Sequence, residues 1–296
     1  MLVIPPPLRA GDLVAVIAPS GPLPLDAFWR GLAWVRDRYR VLASPRILSR
    51  AGYFAGDDAR RHAELRRALR HPDVKAVLVA RGGYGAMRVL EGAGLEALAD
   101  APRWIVGFSD VTALHLMAAR AGVASVHGPN VTGLGKASPA DRSAWLAALE
   151  RPAREDLWEG LVTVQKGTGR GVVCGGNVAL VEAMVGAGRL KLPDGGVLML
   201  EDVDERPYRL DRMLTSLRMG GHLSRLSAIV LGEFARCGAG PDGVTVDAVL
   251  AERTSGLGIP VLSNGPFGHG EVNRAFTLGQ EAAVGEGRVR FLPVRA

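Results

Sequence analysis

The fold is decided by the stretch Trp104-Ile-Val-Gly-Phe-Ser-Asp-Val-Thr-Ala-Leu-His-Leu-Met-Ala-Ala119, in which an apolar run meets a helical pattern at a serine. Residues 104–108 form the apolar run, and apolar side chains then recur at helical spacing as far as residue 119. This order predicts a strand, a sharp turn at Ser109 and a helix. A serine in such a turn projects from the carboxyl edge of a sheet, beside helical N–H groups that can bind an anion.

These features are typical of a nucleophile elbow, although Val111 stands where the G-x-S-x-G pattern has its second glycine. Taken alone, the stretch also fits a serine that only caps the helix that follows it. The choice between these two interpretations depends on whether the rest of the chain supplies partners for a nucleophile.

Length and composition indicate a globular protein of two domains. The chain has 296 residues, of which 48% are hydrophobic and 22% charged. No apolar run approaches the roughly 20 residues of a membrane span, and the first residues lack the order of a signal peptide. The two cysteines, Cys174 and Cys237, lie far apart without zinc-type spacing. We therefore expect a reduced, cytoplasmic protein with no metal site, no cofactor and no membrane partner.

The positive net charge of +6 raises the question of nucleic-acid binding. The basic residues are scattered, however, and the densest run, residues 60–70, has the pattern of an amphipathic helix with a solvated basic face. The sequence therefore predicts no nucleic-acid partner.

Strand and helix patterns alternate through the first half of the chain. Apolar runs at 11–18, 39–43, 73–80 and 104–108 alternate with helical patterns at 25–36, 58–70, 86–98 and 110–119, and a further helical pattern follows at 138–150. Repeated βα units predict a parallel sheet, so we assign residues 1–155 to a flavodoxin-like or Rossmann-like domain. Composition then shifts, and residues 151–166 look like a crossover.

A second strand rhythm, from residue 165 to 296, predicts a smaller α/β domain. Strands are expected at 171–174, 196–200, 228–232 and 259–262, with helices at 177–185, 209–219 and 245–253 between them. Residues 275–293 have the pattern of a β-hairpin with its turn near residue 286.

Chemically suggestive residues follow several of these strands. The loop Arg81-Gly-Gly-Tyr-Gly is neither a dinucleotide nor a Walker motif, but its glycines allow either a tight turn or one N–H of an oxyanion hole. Glu201 follows an apolar strand, where a buried carboxylate needs a cationic or imidazole partner. His269 lies between two glycines, and His127 is its rival. Serine, glutamate and histidine are together the three residue types that a catalytic triad needs.

Six short motifs in this order resemble the LD-carboxypeptidase family of serine peptidases, which also contains the microcin-C immunity peptidases. They are Ala18-Pro-Ser, Arg81-Gly-Gly-Tyr-Gly, Gly107-Phe-Ser-Asp-Val-Thr-Ala-Leu, Gly175-Gly-Asn, Leu200-Glu-Asp with Glu205-x-Pro-Tyr-Arg-Leu-Asp-Arg-Met-Leu, and Phe267-Gly-His-Gly. The resemblance covers nearly the whole chain. It implies a C-terminal domain of the swivelling β/α-barrel-like type.

The resemblance also implies roles for individual residues. Ser109 would be the nucleophile, His269 the general base and Glu201 the residue that orients the base, while the N–H groups of Gly83 and Asp110 would form the oxyanion hole. The nucleophile and its two helpers fall in different domains, so catalysis would need both. Asn130, where methionine is more usual in the family, is a departure that would alter the pocket wall.

The implied function is a serine LD-carboxypeptidase that removes the terminal D-alanine from muropeptide tetrapeptides during cell-wall recycling, without a cofactor and as a homodimer. Arg81 and Arg212 are candidates to bind the substrate carboxylate, and each could equally be a structural anchor. Hydrolysis of an aminoacyl-nucleotide antibiotic is the alternative activity. A flavodoxin-like binding protein without catalysis is the alternative of another class.

Overall fold

The chain divides into two compact units in the structure, a computed structural model that describes residues 2–152, 154–189 and 192–293. The first unit takes in Met1–Pro152 and Arg274–Gly279, and the second takes in Ala153–Asn273 and Gln280–Ala296. The chain therefore returns to the first unit for six residues near its end.

Among the described residues the strands are β1 (Leu13–Ile17), β2 (Arg40–Ala43), β3 (Val74–Val79), β4 (Trp104–Gly107), β5 (Ser125–His127), β6 (Asp156–Trp158), β7 (Val162–Gln165), β8 (Thr168–Asn177), β9 (Val197–Val203), β10 (Ala228–Ala235), β11 (Val261–Ser263), β12 (Phe276–Leu278), β13 (Glu281–Gly285) and β14 (Arg288–Phe291). The α-helices are α1 (Leu25–Arg36), α2 (Asp58–Arg70), α3 (Thr112–Arg120), α4 (Val131–Leu134), α5 (Pro139–Glu150), α6 (Val178–Gly186), α7 (Pro207–Met219) and α8 (Val246–Thr254). In the same described residues no helix has the length and apolar character needed to cross a membrane.

The first unit is built on a sheet with the described strand order β12-β5-β4-β3-β1-β2. Strands β1 to β5 are parallel, whereas β12 runs antiparallel to β5. Read from β2, the parallel strands follow the flavodoxin-like order 2-1-3-4-5, which confirms the predicted fold class. In this order the topological switch point lies between β1 and β3, so the loops that follow these two strands are where ligands bind in such folds.

Both faces of this sheet are covered, as its continuous apolar strands predict. Along β1, Val14 and Val16 pack into a core with helix residue Phe28, while Ala15 and Ile17 pack into a second core on the opposite face. The alternation follows from the two-residue repeat of a strand. Strands buried on both sides hold the loops at their carboxyl ends in fixed positions.

Side chains cap two helices of the first unit. Asp57 caps α2 by accepting from Arg60 N at 2.7 Å, and Ser138 caps α5 by accepting from Asp141 N at 3.1 Å. The helix predicted over residues 86–98 is wrong, because the chain there forms short 3₁₀ turns at Ala86–Val89 and Leu95–Leu98. Gly92 and Gly94 between them adopt positive φ, which ends a right-handed helix.

The second unit is a mixed sheet with the described order β6-β14-β13-β8-β9-β10-β11-β7. Its centre, β8 to β11, is parallel, and the remaining pairs are antiparallel. Residues 151–166, read from the sequence as a crossover, instead supply β6 and β7 at the two edges of this sheet. These strands are only three and four residues long, too short for a two-residue repeat to be distinguished from a loop.

The predicted hairpin over residues 275–293 is shorter than expected. Strands β13 and β14 form it, with Glu286 at positive φ in the turn, but β12 pairs with β5 in the first unit. The ring of Phe276 stacks on His127 at a centroid distance of 4.8 Å, and Leu278 is buried. Burial of these apolar side chains against the edge of the first sheet outweighs continuation of the hairpin.

Candidate active site

Ser109 lies in the predicted turn between β4 and α3. Its backbone has φ of +67°, a left-handed conformation that is uncommon for a residue with a side chain. Such a conformation costs on the order of 1–3 kcal/mol and tends to occur at functional sites. A 3₁₀ turn over Ser109–Val111 then leads directly into the helix. The strand, sharp turn and helix of a nucleophile elbow are therefore all present.

Glycines allow the neighbouring backbone to approach this turn. A Cβ on Gly82 would lie 2.9 Å from Ser109 Cβ, and a Cβ on Gly107 would lie 2.5 Å from Asn130 Oδ1. Both distances are shorter than the contacts that a Cβ atom makes in proteins. A side chain at either position would therefore displace Ser109 or Asn130. The loop after β3 thus passes directly beside the nucleophile position.

One buried carboxylate fastens three loops of the first unit together. Asp110 Oδ2 accepts a hydrogen bond from Ser20 Oγ at 2.6 Å and another from Ala86 N at 2.7 Å. Ser20 follows β1, Ala86 ends the glycine loop after β3, and Asp110 itself follows β4. Burial raises the pKa of Asp110, and the two hydrogen bonds oppose that rise. The side chain fixes the loop that carries Gly83 relative to Ser109.

Two further polar side chains support the turn from below. His115 bridges Ser125 Oγ and the carbonyl oxygen of Gly107, each at 2.9 Å, and burial lowers its pKa to about 4. The imidazole is therefore neutral at physiological pH and acts as a strut. Asn130 Oδ1 accepts from Phe108 N at 3.2 Å, so the departure from methionine noted in the sequence holds the residue before the nucleophile.

The oxyanion assignment stays a prediction for Gly83 and Asp110. Gly83 has φ of +112°, which favours glycine, and Gly21 N binds the carbonyl of its neighbour Gly82 at 3.1 Å. The loop is thus fixed on its far side by the turn after β1. This is the rigidity that a backbone donor needs if it is to stabilise charge in a transition state.

In the second unit, Glu201 and His269 are brought together. Glu201 lies in the buried part of β9 and is fully inaccessible to solvent, and its Oε2 accepts from His269 Nδ1 at 2.6 Å. A carboxylate on Nδ1 fixes the tautomer and orientation of the ring and makes Nε2 the nitrogen that can accept a proton. This geometry is the one that the predicted Glu-His half of a serine triad requires.

The loop that carries His269 is attached to β10. Glu233 N donates to Phe267 O at 2.9 Å, and Gly265 N donates to Leu231 O at 2.9 Å. Gly268, immediately before the histidine, has φ of +125°, and a Cβ there would lie 2.9 Å from Glu233 O. Glycine at this position lets the loop lie flat on the strand end, which aims the imidazole at Glu201.

The two neighbouring carboxylates of this strand end have different partners. Asp202 accepts from Asn177 Nδ2 at 2.9 Å and from Ala179 N at 3.0 Å, at the start of α6. Burial raises the pKa of Asp202 to about 6, with Glu201 beside it as a further cause. Asp202 therefore anchors the Gly175-Gly-Asn motif, whereas Glu201 binds the histidine.

Comparison with known proteins settles which family has this pair of half-sites. The LD-carboxypeptidase N-terminal domain matches residues 14–128, and the LD-carboxypeptidase C-terminal domain matches residues 170–284. The chain belongs to the LD-carboxypeptidase family. The resemblance inferred from the six motifs is thereby confirmed.

Relatives of this LD-carboxypeptidase cover its whole length. It is 33% identical to the murein tetrapeptide carboxypeptidase of Pseudomonas aeruginosa, over 94% of both chains. Its structure superposes with a TM-score of 0.85 on muramoyltetrapeptide carboxypeptidase from Oxalobacter formigenes, at 28% identity, covering 96% of this chain and 100% of the other. The microcin C7 self-immunity protein matches with a TM-score of 0.90 over 99% of both chains, but at 20% identity this likeness concerns the fold alone.

The other predicted site residues of this LD-carboxypeptidase are found on separate units. Arg81 is exposed in the first unit and donates from Nη1 to Pro22 O at 2.5 Å, and Arg212 is exposed on α7 in the second. The rival histidine, His127, is buried in β5 and stacks on Phe276, which is a packing role. Across the described ranges no three His, Cys, Asp or Glu side chains form a group that could hold a metal ion.

Sequence reasoning missed several residues that support the site. The side chains of Ser20, Asp110 and Asp202 stood in quoted motifs without a structural role, and Asn130 was noted only as a departure that would alter the pocket wall. The available signal was their position, because each lies at or just beyond the carboxyl end of a strand, at the edge of the sheet where the serine or the histidine lies. Their partners are 22 to 90 residues away in the chain, so spacing alone could not identify them.

Proposed function

We propose that the protein is a serine LD-carboxypeptidase that releases the terminal D-alanine of a muropeptide tetrapeptide, leaving a tripeptide. The observation that carries the proposal is the hydrogen bond between His269 Nδ1 and the fully buried Glu201, in a member of this family. A carboxylate–imidazole pair of this geometry prepares a general base for a serine nucleophile. The strained turn at Ser109 supplies that serine.

In the proposed reaction, Ser109 Oγ attacks the carbonyl carbon of the bond to D-alanine while His269 Nε2 takes the hydroxyl proton. The N–H groups of Gly83 and Asp110 bind the oxyanion that forms. Collapse breaks the C–N bond, and the imidazolium returns its proton to the leaving amine. Water then attacks the acyl-enzyme with the same base, which releases the tripeptide and restores the serine.

The same proposal covers substrate binding, cellular location and assembly. A carboxypeptidase must bind a free terminal carboxylate, and Arg81 and Arg212 carry the exposed guanidinium groups that suit it. We place the enzyme in the cytoplasm as a homodimer that recycles cell-wall peptides, without nucleic-acid, membrane or cofactor partners.

The proposal is tested by mass spectrometry of purified protein incubated with a tetrapeptide, its tripeptide and a microcin-type aminoacyl nucleotide. Loss of one alanine from the tetrapeptide alone is the expected result, and the Ser109→Ala protein should leave all three intact. Cleavage of the aminoacyl nucleotide alone would instead assign the immunity-peptidase activity. Binding without cleavage of any of them would support a non-catalytic protein.

A further inference from the structure

A pocket of about 620 Å³ lies in the first unit beside the glycine loop after β3. Its wall includes Arg50, Tyr53, Arg81, Gly83 and Tyr84. Gly83 is the residue whose N–H we propose to bind the oxyanion, so a ligand in this pocket borders the reacting bond. Neither Arg50 nor the two tyrosines was singled out by the sequence.

The aromatic wall of the pocket is exposed and supported from behind. Tyr53 and Tyr84 are 66% and 52% exposed, with ring centroids 6.1 Å apart. Phe54 backs both rings, at 4.4 Å from Tyr53 and 5.7 Å from Tyr84, and the fully buried Arg61 lies over its face at 4.3 Å. A rigidly held pair of exposed tyrosines offers apolar ring faces and hydroxyl groups to a ligand.

All charged groups in the wall of this pocket are cationic. Arg50 donates from Nε to Gly52 O at 3.3 Å, and Arg81 donates from Nη1 to Pro22 O at 2.5 Å. These bonds to backbone carbonyls orient the guanidinium groups without neutralising them, and no aspartate or glutamate is among the described lining residues. Two arginines in the wall of one pocket suit a carboxylate, because a guanidinium group can donate two parallel N–H bonds to it.

We infer that this pocket is a carboxylate-binding subsite, in which Arg50 and Arg81 hold a carboxylate of the peptide substrate against the faces of Tyr53 and Tyr84. The inference rests on the proposed function, because a tetrapeptide supplies the ligand. The carboxylate has two possible sources, the terminal group of the leaving alanine and a free carboxyl group of an internal acidic residue. Both present the same chemistry to the arginines.

The test measures peptide binding by calorimetry with Ser109→Ala protein, which cannot turn the peptide over. Three tetrapeptides are compared: one with all carboxyl groups free, one amidated at the C-terminus and one amidated at the internal acidic residue. Adding Arg50→Gln should weaken binding of the free peptide about tenfold, as expected for a charge-assisted hydrogen bond at a solvent-open site. The weakening should vanish for the one amidated peptide that lacks the carboxylate bound by Arg50, and this identifies its source.

Arg66→Gln is the matched control, since Arg66 is an exposed arginine of α2 that does not line the pocket. It removes the same charge and should leave all three affinities unchanged. Tyr53→Leu should weaken binding of every peptide severalfold, whereas Tyr53→Phe should not, because it retains the ring face. Melting temperatures of the variants verify that each is folded.

Equal weakening of all three peptides by Arg50→Gln, no weakening, or the same effect from Arg66→Gln would overturn the inference. So would undetectable binding of a peptide that wild-type protein cleaves. Failure of the proposed function has a separate signature, because wild-type protein would then leave the free tetrapeptide intact. In that case the tetrapeptide would be rejected both as the substrate of the protein and as the ligand of this pocket.

Discussion

The serine turn of the first unit and the Glu201–His269 site of the second are positioned by different means. The serine turn is set by backbone: a residue at positive φ, glycines where side chains would collide, and a carboxylate that fastens three loops. The backbone of the histidine loop is fixed in similar ways, but its imidazole ring is oriented through a side-chain hydrogen bond to the buried carboxylate of Glu201. A turn shaped by backbone resists small changes in its neighbours, whereas a side chain loses its orientation when the bond that holds it is removed.

The largest expected effect comes from Ser109→Ala, which tests whether the strained turn exists for chemistry. Activity should fall by roughly four to six orders of magnitude, as for other triad nucleophiles, because no other group supplies the attacking oxygen. The melting temperature should hardly change. The assay is steady-state release of D-alanine.

Ser138→Ala is the matched control for that variant. It removes the cap of α5 and should cost about 1 kcal/mol of stability while leaving activity intact. If Ser109→Ala retained activity within tenfold of wild type, the serine turn would be a structural device and the proposed mechanism wrong.

Glu201→Gln should have the next largest effect. It tests the hydrogen bond that orients the imidazole of His269. The amide keeps the size of the side chain but removes the charge that stabilises the imidazolium, so kcat/KM should fall about 10³- to 10⁴-fold. The measurement pairs kcat/KM with the melting temperatures of both proteins. A lowered melting temperature with an unaltered rate would give Glu201 a purely structural role.

Asp110→Ala sharpens the comparison from the other side, since it loosens the backbone-built site without touching the nucleophile side chain. Ser20 Oγ and Ala86 N would lose their buried acceptor, and each such loss costs about 1–3 kcal/mol. We expect kcat to fall about 10- to 100-fold, with the unfolding free energy lowered as well. Ser20→Ala removes one of the two bonds and should show a smaller effect on both. Full activity in Asp110→Ala would mean that the position of the glycine loop does not depend on the hydrogen bonds to Asp110.

The smallest effect on activity is expected from Asp202→Asn, whose main effect appears in the pH dependence of stability. The pKa of Asp202 is raised by burial from an ordinary 3.8 to about 6, so its ionised form is disfavoured in the folded protein. Stability from this group is complete below about pH 4 and is lost as pH rises through 6, by about 3 kcal/mol in all. The variant should lack this part of the pH dependence.

Chemical denaturation of the wild type and Asp202→Asn at pH 4 and pH 7 measures that difference. Parallel curves for the two proteins would show that Asp202 titrates normally. The rate should change less than in Glu201→Gln, because Asp202 holds the start of α6, whereas Glu201 binds the imidazole ring.

Local features of this fold could be predicted from sequence, and long-range ones could not. Helix α1 was placed at its observed ends, because a helical pattern is read from residues three and four positions apart. The pairing of β12 with β5 joins residues about 150 positions apart, and nothing in either short strand specifies the other. Similarly, the sequence showed a serine, a glutamate and a histidine suited to a triad. It gave no sign of the hydrogen bond between Ser20 and Asp110, which lie 90 residues apart.

The pairing of β12 also bears on how the two units can be separated or exchanged. The chain passes between them three times, after residues 152, 273 and 279, so no single cut divides it into two complete folds. A fragment that ends at Pro152 would lack β12. The backbone N–H and C=O groups along the edge of β5 would then be exposed and could pair with another chain. Recombination or fragment complementation in this family therefore has to carry a six-residue insert from the tail along with the front half.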